Sequence, residues 1–177
     1  MKYVTTAFLL AAACCTAQSM TELGTFGGNY SYARSVSADG SVVVGQANNL
    51  SGEGRAFRWT GGVMSDLGTL GGNYSYALAT SADGSVVVGD SNDISNQGRA
   101  FRWTSGVMSD LGTLGGSYSS VRSVSANGYV VVGNSSNVSN QGRAFRWTGG
   151  VMSDLGTRGG TYSYVYAVSA DGAVVVG

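Results

Sequence analysis

Carboxylates that fall outside the repeated pattern are the side chains best placed to do chemistry. Glu22 and Glu53 are the only glutamates. Asp90 and Asp93 lie in Gly89-Asp90-Ser91-Asn92-Asp93, whose counterparts read Gln46-Ala47-Asn48-Asn49 and Asn134-Ser135-Ser136-Asn137. Two converging carboxylates would form the acid/base pair that hydrolyses glycosidic bonds, but nothing in the spacing brings any two together. The Asp90–Asp93 stretch could hold Ca²⁺ through its oxygens. Its spacing follows no EF-hand pattern and its counterparts are uncharged, so a polar surface loop is the simpler reading. Glu53, between Gly52 and Gly54, reads as a solvated loop residue.

The residue inventory excludes much else. There is no His and no Pro, and the two cysteines are the adjacent Cys14 and Cys15. Ser-His-Asp, Cys-His and His-metal chemistry therefore lack their parts. Ten basic residues balance ten acidic ones, and charged residues make up only 11%. That balance leaves no nucleic-acid footprint. No cofactor and no metal are expected, and the chain reads as a non-enzyme.

Tyrosine is the other candidate. Gly27-Gly28-Asn29-Tyr30-Ser31-Tyr32 recurs at 71–76, Tyr118 continues the series, and Tyr162, Tyr164 and Tyr166 enlarge it. Tyr30, Tyr32, Tyr74, Tyr76, Tyr118, Tyr162 and Tyr164 are the candidate ligand-binding residues, since a phenol offers a flat apolar face with a polar tip. The competing reading is that these rings pack between repeat units. Met64, Met108 and Met152, at equivalent positions, read as packing residues.

These side chains must be held by a repeated unit. Gly-Arg-Ala-Phe-Arg-Trp-Thr occurs at 54–60, 98–104 and 142–148, and every offset is 44 residues. Residues 54–97 and 98–141 are identical at 31 of 44 positions. Such a period is in the range of four-stranded propeller blades. β-branched and aromatic residues mark strands at 56–60, 63–67, about 75–81 and 85–89, with Gly, Ser, Asn and Asp between them. Asp39-Gly40 and its counterparts (Asn127-Gly128 among them) signal hairpins. The Val triplets that end at Gly45, Gly89, Gly133 and Gly177 show no alternation, so that strand is expected to be covered on both faces.

The loop 60–62 is expected to be a three-residue hairpin that closes on Gly62 and sets Trp59 opposite Val63. Phe57, Trp59, Val63 and Leu67 would then share one face, with Arg58, Met64 and Asp66 on the other. Arg58 would lie diagonal to Asp66, as Arg102 to Asp110 and Arg146 to Asp154. Such surface pairs are worth under about 1 kcal/mol.

The expected fold is all-β, built of 44-residue four-stranded repeats, β-propeller-like, and either incomplete or open. A β-solenoid is the alternative. Repeated tight hairpins favour the propeller. One repeat domain spans 18–177, in units 18–53, 54–97, 98–141 and 142–177. The first lacks the Arg-Ala-Phe-Arg-Trp strand, so about three and three-quarter units are present. The unclosed strand edges invite self-association or mark a piece of a longer repeat protein.

Residues 1–17 read as a secretory signal: Lys2, then an apolar run over 4–13, then small residues ending at Ala17. Leu10-Ala11-Ala12-Ala13-Cys14 also resembles a permissive bacterial lipobox, in which Cys14 would carry lipid and give the chain its one route to a membrane. Cleavage after Ala17 would instead leave a chain with no cysteine. The tripeptides Asn29-Tyr30-Ser31 and Asn73-Tyr74-Ser75 fit the N-glycosylation pattern.

The string Ala-Phe-Arg-Trp-Thr-x-Gly-Val-Met-x-Asp-Leu-Gly-Thr-Leu-Gly-Gly, followed by Val-Ser-Ala-Asp-Gly-x-Val-Val-Val-Gly, resembles the HAF repeat, a bacterial extracellular repeat named for a His-Ala-Phe triplet. The likeness covers essentially all of 19–177. Arg55, Arg99 and Arg143 stand where the family has His. The resemblance implies a secreted or cell-surface location, with the periplasm as a further option, and in some relatives attachment to an autotransporter barrel. The reading that follows is a secreted or surface repeat module with an adhesive, structural or ligand-binding role. Its partners would be a glycan or a surface protein. A carboxylate-dependent propeller hydrolase or lyase is the rival.

Overall fold

A computed structural model of the chain describes residues 20–177. The leader over 1–17 and the Cys14 alternative lie outside the described residues. The repeat folds into antiparallel meanders. Strands β1 (Gly27–Val36), β2 (Val42–Asn49), β3 (Gly54–Thr60) and β4 (Val63–Asp66) form the first sheet in that order. β5 (Gly71–Thr80), β6 (Val86–Asp93), β7 (Gly98–Thr104) and β8 (Val107–Asp110) form the second. β9 (Gly115–Val124), β10 (Val131–Asn137), β11 (Gly142–Thr148) and β12 (Val151–Asp154) form the third. The short pair β13 (Ala167–Val168) and β14 (Val175–Val176) begins a fourth. Each of the three four-stranded sheets thus opens on the Gly-Gly-Asn/Ser-Tyr strand, and the Arg-Ala-Phe-Arg-Trp strand is third. Sequential antiparallel order leaves no place for the parallel coils of a β-solenoid.

The core lies between sheets. Val42, Val44, Ala56 and Leu67 of the first sheet meet Ala77, Val87 and Phe101 of the second. Val86, Val88, Ala100 and Leu111 of the second meet Val121, Val131 and Phe145 of the third. The Val triplet therefore serves two interfaces at once, Val87 on one side and Val86 and Val88 on the other. This is the physical reason it shows no alternation. Met108 and Met152 pack against these clusters. The outer strands β4, β8 and β12 are short and carry Val63, Val107 and Val151 mostly exposed.

Three corrections to the sequence reading follow from the β3–β4 register. The loop is two residues, Gly61 and Gly62, both with positive φ (57° and 86°), and Thr60 pairs with Val63. A two-residue turn of this kind matches the twist of the strands it joins. Trp59 is therefore opposite Met64, Phe57 is opposite Asp66, and Val63 is an exposed residue instead of a core one. The diagonal Arg58–Asp66 pair does not form, nor do its counterparts. Arg58 Nε donates instead to the Gly84 carbonyl of the next sheet at 3.0 Å, and Arg102 Nε to Gly128 at 3.2 Å. Asp66, Asp110 and Asp154 each accept from the backbone N–H two residues on, at 2.7–2.8 Å.

Polar bonds also cross every sheet boundary. Ala38 N–H donates to Ala82 C=O, Ala82 to Ala126 and Ala126 to Ala170, at 2.8–2.9 Å, a chain of bonds linking the Ser-Ala-Asp/Asn-Gly turns. Ser75 Oγ accepts from Ala56 N–H at 2.9 Å and donates to Gly68 C=O at 2.6 Å. Ser119 and Ser163 accept in the same way from Ala100 and Ala144, at 3.0 Å. Ser75 is wholly buried, so the Asn73-Tyr74-Ser75 tripeptide has its serine inside the fold. Ser75→Ala strands the buried Ala56 donor and is expected to cost about 2 kcal/mol. Urea unfolding measures this, and an unchanged midpoint would show that the boundary does not depend on the bond.

Candidate functional site at the sheet boundaries

β1, β5 and β9 contact one another across successive sheets, whereas β4, β8 and β12 touch little beyond their own. The Gly-Gly-Asn/Ser-Tyr strands are thus the inner ones; Tyr30, Tyr32, Tyr74, Tyr76 and Tyr118 lie on them, and Tyr162 and Tyr164 lie in the segment before β13. They form two rows. Tyr74, Tyr118 and Tyr162 reach back over the boundary: a Cβ placed at Gly54, Gly98 or Gly142 of the preceding sheet would sit 3.3, 2.9 or 3.7 Å from the respective ring. One side of each ring covers a glycine, and about half of each side chain stays exposed. Tyr30, in the first sheet, instead leans on Tyr32, with ring centroids 5.2 Å apart and planes at 47°. Packing and exposure coexist in the same ring, so the two readings of the tyrosines are not exclusive.

The second row is Tyr32, Tyr76 and Tyr164, with Ser120 at the third of the four equivalent positions. Tyr32 and Tyr164 are exposed. Tyr76 is half-buried, directly across from Asp90 on β6. Burial first, and the negative Asp90 second, push the Tyr76 phenol up to about 12.

Asp90 stands in a strand and not in a loop, which corrects the sequence reading, and its residue is only 5% exposed. Its Oδ2 accepts from Ser120 Oγ at 2.6 Å and its Oδ1 from Val121 N–H at 2.7 Å, both on β9 of the next sheet. Burial raises its pKa to about 6, against the opposing pull of those bonds and of Arg122. At the next boundary Asn134 Oδ1 does the same task, accepting from Val165 N–H at 3.2 Å. Asp90 is thus a boundary clamp that happens to be ionisable.

The remaining carboxylates are engaged separately. Asp93 Oδ1 accepts from the N–H groups of Ser95 and Gln97, and its Oδ2 holds Arg99 Nε at 3.0 Å. Glu53 Oε2 accepts from Asn49 Nδ2 at 2.9 Å. Asp90 and Asp93 do not face a common space, and among the described residues no three His, Cys, Asp or Glu side chains gather as metal ligands. A cavity of about 450 Å³ is lined by Ala144, Arg158, Tyr162, Tyr164, Val175 and their neighbours, beside the β13–β14 pair.

Two solved structures share this arrangement of sheets. A putative TolB from Agrobacterium tumefaciens superposes with a TM-score of 0.55 at 17% identity, over 73% of this chain and 50% of that one. TolB from Acinetobacter baumannii gives a TM-score of 0.59 at 12% identity, over 81% of this chain and 36% of that one. The fold is all-β and propeller-like. This chain spans half the length of the first of those proteins and about a third of the second. No family model matches the sequence. No curated protein matches it either. Each four-stranded sheet is a blade; Tyr74, Tyr76 and Tyr118 sit at blade boundaries on the inner strands, and Asp90 sits at one on the second strand, β6. The boundary role of Ser75, Ser119 and Ser163 escaped the sequence reading, although a serine recurring every 44 residues inside an aromatic strand was its signal.

Proposed function

We propose that this chain is an exported or surface-borne propeller module that binds through its tyrosine row, related to the HAF repeats, and that it carries out no catalytic step. The observation that supports this reading is the repetition of one half-exposed phenol at the same corner of successive blades, Tyr74, Tyr118 and Tyr162. Each ring is fixed on one side by the preceding blade and open on the other. A rigid amphipathic ring loses little entropy on binding. Equal sites spaced along one molecule suit weak multivalent attachment to a repetitive target such as a glycan or a surface protein. The hydrolase alternative draws no support from the separate engagement of Glu53, Asp90 and Asp93.

The test is binding to a glycan array and to immobilised surface extract, with the Tyr30, Tyr74, Tyr118 and Tyr162→Ala variant compared by thermal melting. Retention on the same targets should fall at least about a hundredfold, since each lost contact is worth roughly 1 kcal/mol or more. Wild-type turnover of a glycan abolished by Glu53→Gln would overturn the reading in favour of an enzyme.

A further inference from the structure

The most exposed large apolar side chains, after Met20 at the start of the described residues, are Leu50, Ile94 and Val138, at 87%, 86% and 83%. They are 44 residues apart, at the tips of the β2–β3, β6–β7 and β10–β11 loops. The rest of each loop varies, from Ser51-Gly52-Glu53 to Ser95-Asn96-Gln97, yet the tip is aliphatic each time. The tips are held stiffly. Asn49 Oδ1 accepts from Ser51 and Glu53 N–H at 3.0 and 2.9 Å, Asp93 Oδ1 from Ser95 and Gln97 at 2.8 and 2.9 Å, and Asn137 Oδ1 from Ser139 and Gln141 at 3.0 and 2.9 Å. Backbone bonds from Asn49 to Glu53, Asp93 to Gln97 and Asn137 to Gln141 close each turn. Each of the three aliphatic side chains rests one edge against a glycine of its own sheet, Gly27, Gly71 or Gly115, and is otherwise open to water.

Beside each tip stands a phenol. Tyr74, Tyr118 and Tyr162 lie over Gly54, Gly98 and Gly142, the residues that end these loops, and are 46%, 48% and 58% exposed. Arg55, Arg99 and Arg143 come next along the chain. Asp93, the one acidic turn residue among Asn49, Asp93 and Asn137, is neutralised by Arg99 at 3.0 Å. The guanidiniums are held within the fold, Arg55 beside Asp66 at 3.8 Å and Arg99 on Asp93, so the pairing the rim offers is an aliphatic tip beside a half-exposed phenol, which suits the acyl boundary and the interfacial zone of a bilayer. Equivalent loops of consecutive blades open on the same side, so the tips address a surface together. Leu50, Ile94 and Val138 are not among the residues lining the cavities beside β13–β14, at Ala33–Val36 or at Glu22–Ser31.

We infer that this rim seats on a lipid bilayer, the three aliphatic tips entering the acyl boundary and the tyrosines resting at headgroup level. The inference rests on the reading of this rim as the recognition surface and names the class of target. It is independent of Cys14.

The test is co-sedimentation of the full chain with vesicles of phosphatidylcholine and phosphatidylglycerol, wild type against Leu50→Ser, Ile94→Ser, Val138→Ser and the triple variant. Any contribution from residues 1–17 is common to all. Each single change should weaken partitioning about tenfold, and the triple variant should lose it down to the level that residues 1–17 alone supply, with melting unchanged because the tips touch solvent. Equal sedimentation of wild type and triple variant overturns the inference. So does a triple variant that only turns a dimer into a monomer in light scattering. Wild type that binds glycan through its tyrosines but never vesicles overturns the lipid target and leaves the tyrosine reading standing. Vesicle binding lost with the tips but kept in the four-tyrosine variant upholds the lipid contact while removing the tyrosines from it.

Discussion

Gly89→Ala is expected to cost about 4 kcal/mol, a large part of the stability of a domain this size. A Cβ at Gly89 would lie 2.1 Å from the Tyr76 carbonyl oxygen, 2.9 Å from Ala77 Cα and 2.9 Å from Phe101 Cε1. Two of those neighbours are backbone and cannot rotate away. The reason lies in the pairing. Gly89 pairs with Ala77 on one side and Phe101 on the other, and next to Ala77 the register of β5 slips, with Ala79 opposite Val88. Leu78 is the extra residue of that bulge, which swings the inner strand over the glycine while the Phe101 ring fills the space a side chain would take. Gly45 and Gly133 repeat the arrangement under Phe57 and Phe145. Gly142→Ala is the control, because its Cβ would meet only Tyr162 at an ordinary 3.7 Å. Chemical denaturation of both should show a collapse for Gly89→Ala and little change for Gly142→Ala. Equal midpoints would mean that the bulge relaxes freely.

A second large effect is expected from pH, and its sign is unusual. Asp90 has its pKa raised by burial from 3.8 to about 6. Between those values the folded chain holds a proton that the unfolded chain has released. Stability therefore falls as pH rises from about 4 through 6, by about 3 kcal/mol, and stays lower above that range. Asp39 and Asp83 act the other way. Ser37 and Ser81 hydroxyls at 2.7 and 2.6 Å, with turn N–H groups, hold their carboxylates down at about 2. What they contribute is present above 3.8 and lost as pH falls toward 2. Maximal stability is expected at about pH 4–5, below the usual range. Asp90→Asn should flatten the profile between pH 4 and 7 and raise the melting temperature at pH 7.5. The amide oxygen can accept from Val121 as Asn134 does from Val165. A variant that melts lower than wild type at pH 7.5 would show that the charged bonds to Ser120 and Val121 outweigh desolvation.

The sequence by itself determined the period, the strand content and most of the turns. Identity at 31 of 44 positions forces equal local structure in equal units. The unbroken Val triplet already required cover on two faces, and the sheets on either side of β6 provide it. The hairpin between β3 and β4 was legible as a turn but not in its length. Gly61-Gly62 permits two- and three-residue closures alike, and the one-residue difference moves Val63 from core to solvent. Asp90 was legible as a departure from the repeat. Only the placement of β9 against β6 makes it a buried clamp, because a pKa near 6 comes from neighbours 30 residues away in the chain. The tips at Leu50, Ile94 and Val138 carry the same lesson in reverse. An aliphatic residue recurs there every 44 positions, and only the assembled sheets show it almost wholly exposed. Periodicity belongs to the chain, because each unit folds on its own pattern. Burial, register and the environment of each titrating group belong to the stacking of one unit on the next, which no single unit encodes.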